Sequence, residues 1–111
     1  MTPDKKERTI GIVAYLTIFG WVIALVMNSE RRSAYGFFHL RQMFGIMVTA
    51  FAFYALTWFR FDYGYTYSLE NFGRLLLFVL WLLGFIPAAK GEQREIPFIG
   101  AYYQEWFRFI R

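Results

Sequence analysis

A chain of 111 residues is about one domain long, yet 58% of it is hydrophobic and 23% aromatic, more than a water-soluble core of that size can enclose. It has no cysteine, which excludes a disulfide framework, a thiol nucleophile and thiolate metal ligation. The net charge of +4 comes from basic residues that flank apolar blocks and form no stripe, a pattern suited to anionic lipid headgroups and not to nucleic acid.

The uncharged blocks are Thr9–Ser29, Gln42–Phe59 and Leu75–Ala89, of 21, 18 and 15 residues. A helix needs roughly 17–25 residues to cross a hydrocarbon core of about 30 Å. The first block is long enough, and the second becomes so with Phe37–Leu40 added. The third needs Asn71–Arg74, with the Arg74 guanidinium snorkelling to the headgroups. The pattern predicts an all-α membrane protein and a single integral domain, with spans over about 9–28, 38–59 and 72–89.

In chain order, Met1–Arg8 is polar and of mixed charge, like the n-region of a secretory signal. The block after it is longer than a typical h-region and Asn28-Ser29-Glu30-Arg31-Arg32 closes it in place of a cleavage site, which predicts a retained anchor. Gly20 with Ala24, Gly45 with Thr49 and Ala52, and Gly84 with Ala88 put small residues on one face of each span, where a neighbouring backbone can approach. The second connector alternates Phe61, Tyr63, Tyr65 and Tyr67 with Asp62, Gly64, Thr66 and Ser68, rings expected at headgroup level along with Tyr54, Trp58 and Trp81.

Pro87 should kink or finish the third helix. After the polar hinge Lys90–Glu95 and Pro97, the apolar residues Phe98, Ile99, Tyr102, Tyr103, Trp106, Phe107 and Ile110 oppose Gly100, Gln104, Glu105, Arg108 and Arg111. This predicts an amphipathic helix over about 98–110, too short to span and lying in the interface with its rings in the acyl boundary. With three spans, seven Lys and Arg fall on the side of the first connector and the tail and five on the other. That balance favours a multi-pass protein of the inner (plasma) membrane with the N-terminus outside and the C-terminus cytoplasmic.

The polar side chains inside this apolar frame are the candidate site. His39 and Gln42 lie three apart at the mouth of the second span and share a face, whereas Arg41 points elsewhere. The expectation is that His39 and Gln42 face the bundle and hydrogen-bond Asn28 or Gln104, fixing the tail helix. Arg31, Arg32, Arg41, Lys90, Arg94 and Arg108 are the expected headgroup contacts. All eight acidic residues lie outside the uncharged blocks, which disfavours a proton- or cation-coupled transporter. No metalloprotease helix, nucleophile elbow, phosphate loop or paired carboxylate is present, so neither an enzyme nor a cofactor is expected.

Gly11–Tyr15, Gly20–Ala24 and Asn28, then Phe38-His39-Leu40-Arg41-Gln42, then Phe78–Ala89 leading to Gly91 and Ile96-Pro97-Phe98-Ile99-Gly100, resemble the small bacterial Tic-twenty-like membrane proteins. These are relatives of a translocon subunit of the chloroplast inner envelope, often labelled import component proteins or domains of unknown function. The likeness runs from Thr9 to Phe107, and it implies an integral helical protein in a protein-translocating or other multi-subunit assembly. The plastid relatives have four spans with both ends on the stromal side, the first of which has no counterpart here. A non-enzymatic structural or accessory subunit, bound to the bilayer and to other subunits or to itself, is the expected function. A small oligomeric channel or transporter is the alternative.

Overall fold

The structure is a computed structural model that describes residues 4–59 and 66–110. The described residues form five helices and no strand: α1 (Lys5–Ala14), α2 (Ile18–Arg31), α3 (Ala34–Phe59), α4 (Thr66–Lys90) and α5 (Gly100–Trp106). The longest dimension, 49 Å against 23 and 21 Å, follows α3 and α4, whose 26 and 25 residues rise about 1.5 Å each. Their stretches Ala34–Trp58 and Glu70–Lys90 are long and apolar enough to cross a membrane. The two run antiparallel: the Tyr35 hydroxyl donates to the Ala88 carbonyl, while Gly73 sits against the Phe53 ring.

The expected first span, 9–28, is not one helix. It breaks at Tyr15–Thr17 into α1 and α2, of 10 and 14 residues, each below spanning length. Thr17 is the local cause: its extended backbone and its hydroxyl, which accepts the Gly20 N–H at 3.0 Å, start a new helix. Gly20 permits the tight return, since a Cβ there would come within 2.5 Å of the Val13 carbonyl oxygen. The chain then doubles back, so that Asp4 pairs with Arg31 and the Ser33 hydroxyl donates to the Glu7 carboxylate. The three-span count fails here, and so does the charge count built on it, because residues 4–7 and the first connector lie at the same end of the molecule.

The turn from α2 into α3 is built from side chains. Arg32 takes a left-handed conformation at φ 52°, Asn28 grips both main-chain groups of Ser33, and the Ser33 hydroxyl caps α3 by accepting from Gly36. α4 includes Asn71–Arg74, as the length argument required, and runs through Pro87 for another three residues. It stops at Gly91, φ 78°, where the Gly91 and Glu92 amides donate to the Ala88 and Pro87 carbonyls, a Schellman closure.

The tail helix is shorter than the 98–110 expected: α5 has 7 residues. Phe98 at φ 72° and the Ile99 N–H to Pro97 carbonyl bond form a γ-turn that delays its start. Nor does the apolar face lie wholly outward. Tyr103 and Ile110 are buried in the core, whereas Phe98, Tyr102, Trp106 and Phe109 are exposed.

Burial is polarised along the hairpin of α3 and α4. The fully buried side chains, among them Ile10, Tyr15, Leu40, Ile96 and Tyr103, gather where α1, α2 and α5 wrap the start of α3 and the end of α4. Toward the opposite, open end, Phe51, Leu56, Trp58, Phe72, Leu75 and Leu76 are exposed. The expected belt at Phe61, Tyr63, Tyr65 and Tyr67 lies outside the residues whose side chains are described.

Candidate functional site: a buried polar network at the packed end

His39, Gln42 and Asn28 are each 0% exposed, and polar groups so placed must find partners or cost roughly 1–3 kcal/mol each. All three do. The Glu92 carbonyl, 2.8 Å from His39 Nε2, can only accept, so Nε2 carries the proton and Nδ1 accepts from the Tyr15 hydroxyl at 2.9 Å. Tyr15, Tyr35 and Phe38 surround the imidazole edge-on, with ring centroids 4.7–5.5 Å away.

Gln42 works as a clamp, donating to the Gly100 carbonyl at 2.9 Å and accepting from the Ile96 amide at 3.1 Å. Gln104 donates to the Phe38 carbonyl at 2.9 Å and accepts from Arg41 at 3.2 Å, and Arg41 also donates to the Ile110 carbonyl. The four polar residues singled out in the sequence therefore share the packed end, but with different partners from those expected. His39 and Gln42 bond Tyr15 and the main chain of residues 92–100, Asn28 bonds Ser33, and Gln104 bonds α3. Through Gln42, Gln104 and Arg41 the tail is tied to α3.

Aromatic residues do as much of this work, among them Trp81, expected at headgroup level, and Tyr103, expected in the interface. Trp81 donates its indole N–H to the Tyr15 carbonyl at 2.5 Å, and Trp21 donates to the Leu40 carbonyl at 2.9 Å. The Tyr103 hydroxyl shares a hydrogen bond with Thr49, and burial pushes its phenol up from the ordinary value against the lowering pull of that bond. Of the small residues expected to admit a neighbouring backbone, Gly20 does so at Val13, whereas Gly45 and Gly84 seat rings. A Cβ on Gly84 would come within 2.7 Å of Tyr15, and one on Gly45 within 2.2 Å of the Tyr103 ring. Glycine on one helix opposite tyrosine on another was the signal available in the sequence.

The candidate headgroup cations also collect at the packed end. Arg31 pairs with Asp4, Arg32 lies 5.8 Å from the Phe37 ring, Arg94 approaches Glu92 at 3.6 Å, and Arg108 donates to the Glu105 carbonyl. Lys90 closes α4. At the open end Arg74 pairs with Glu70. Among the described residues no three His, Asp or Glu side chains come together as a metal cluster. Chemically the arrangement is a set of hydrogen-bond staples that holds α1, the residue 92–100 segment and α5 onto the helical pair.

Comparison with protein-family models, with curated proteins and with solved structures finds no match.

Proposed function

We propose that this chain is a non-enzymatic integral membrane protein that serves as a structural or accessory subunit of a membrane assembly, with α3 and α4 as its two spans. The observation that carries the reading is the contrast between the two ends of the hairpin. Toward one end the large apolar side chains are bare, with Phe51 77% and Trp58 85% exposed, a surface that water does not tolerate at this extent and that hydrocarbon covers at no cost. At the other end the buried polar groups are all engaged in holding the fold, which leaves that end as a rigid, basic platform at the headgroups.

The likeness of its motifs to Tic-twenty-like proteins makes a protein-translocating assembly the first place to seek its partner. Exposed Tyr102, Trp106 and Phe109 beside the basic tail give the platform a ring-rich surface for lipid or another subunit. The test is purification of a tagged copy from native membranes in mild detergent with mass spectrometry of what accompanies it. A defined membrane protein in constant ratio supports the subunit role. Migration as a lone monomer in every mild detergent overturns it.

A further inference from the structure

The fold places α1 and α2 beside the spans without making either of them one, and that arrangement has a direction. Residues 4–7 and 31–33 meet at the packed end, and between them the chain reaches inward as far as Tyr15 and Thr17. Tyr15 there bonds Trp81, which lies nine residues before the end of α4 at Lys90, about 14 Å along the helix and so near the middle of a hydrocarbon core of about 30 Å.

A helix break at that depth is tolerated where its main-chain groups find partners, and five hydrogen bonds around this one meet part of that need. The Tyr15 and Leu16 amides donate to the Ile12 and Val13 carbonyls, both at 3.1 Å, and the Trp21 amide donates to the Thr17 carbonyl at 2.8 Å. The Thr17 hydroxyl takes the Gly20 amide and the Trp81 indole takes the Tyr15 carbonyl. Meanwhile α2 turns Ala24 and Asn28 to the core and leaves Ile18, Phe19, Val22, Ile23 and Val26 between 48% and 80% exposed.

Charge supplies a second, independent observation. Of the ten Lys and Arg among the described residues, nine lie at the packed end and only Arg74 near the other. Basic residues stay on the cytoplasmic side of short-looped membrane proteins, and a nine-to-one division is a stronger bias than the six-to-four split that three spans would give for the same ten residues.

Resting on the membrane reading above, we propose that α1 and α2 form a re-entrant hairpin. It enters and leaves the bilayer on the cytoplasmic face, with Ile18, Phe19, Val22, Ile23 and Val26 of α2 against the acyl chains of that leaflet. Lys5 and Arg94 then share one side of the membrane, and Asn71 stands on the other.

The chain contains no cysteine, so the test starts from the full-length protein as it is. Lys5→Cys, Asn71→Cys and Arg94→Cys are labelled with a membrane-impermeant maleimide in inside-out and right-side-out vesicles. The expected result is labelling of Lys5→Cys and Arg94→Cys only in inside-out vesicles and of Asn71→Cys only in right-side-out ones. Opposite sidedness of Lys5→Cys and Arg94→Cys overturns the hairpin while leaving the protein in the membrane. Release of the unmodified chain from vesicles by alkaline carbonate overturns the membrane reading itself.

A nitroxide on Val22→Cys checks the occupant. Ready collision with oxygen and none with a water-soluble nickel chelate supports acyl chains. Protection from both means that protein covers the face, and collision with the nickel chelate means that water does; either overturns the assignment to lipid.

Discussion

The Trp81 indole N–H and the Tyr15 main-chain carbonyl meet at 2.5 Å, tying the middle of α4 to the point where the first apolar block turns back. Trp81 also stacks on Phe85, with ring centroids 4.8 Å apart and planes 7° from parallel. Trp81→Phe keeps an aromatic ring for that stack and removes only the donor. The expected outcome is a loss of about 1–3 kcal/mol, the cost of one buried acceptor left without a partner. Unfolding in mild detergent titrated with a denaturing one measures it. A loss no larger than that of Phe72→Leu, a change at an exposed ring of α4, would show that the bond contributes nothing.

Gln42→Leu removes the clamp on Ile96 and Gly100 while keeping bulk. Two main-chain groups lose their partner, so a destabilisation of about 2 kcal/mol or more is expected, felt first in the tail. Limited trypsin digestion reads it, because Arg94 and Arg108 should become several times more susceptible. An unchanged digestion pattern would mean that the tail is held without Gln42.

Gly45→Ala is expected to cost about 1–3 kcal/mol, the usual effect of overpacking, because the added methyl group needs the space of the Tyr103 ring. Displacing that ring also breaks its bond to Thr49. Combining Gly45→Ala with Tyr103→Leu should recover part of the loss, as measured in a double-mutant cycle. Strict additivity of the two changes would count against the ring's place on Gly45.

Asp4 and Arg31 pair near the surface, with side chains 48% and 36% exposed, so Arg31→Gln should cost less than about 1 kcal/mol. Asp4→Ala should cost more, about 0.5–2 kcal/mol, because Asp4 also accepts the Glu7 amide in the capping box of α1. Added salt should remove most of the Arg31→Gln difference and little of that for Asp4→Ala.

The parts of this fold that depend on one-dimensional length were legible in the sequence. α3 and α4 follow from uncharged runs long enough to cross a bilayer, including the extension of the third block through Asn71–Arg74. The break at Thr17 was not legible, because an uncharged run has the same composition whether straight or folded back. Thr17 with Gly20 three residues on is a weak cap signal on its own. His39 and Gln42 could be assigned to one inward face from their spacing. Their partners could not, since most are main-chain groups of residues 92–100, which no side-chain pattern reveals. In the tail, the alternation of rings and polar residues described an amphipathic helix. It could not show that Phe98 would delay the start or that Tyr103 would fit onto Gly45.

The bond between Tyr15 and Trp81 joins positions 66 residues apart, and synthesis delivers them in that order. When Thr9–Ser29 leaves the ribosome, the indole of Trp81 has yet to be made. The insertion machinery therefore meets a 21-residue greasy run indistinguishable from an ordinary anchor. The turn at Tyr15 gains its bond to Trp81 only once α4 has arrived, so a run made early waits on a later helix.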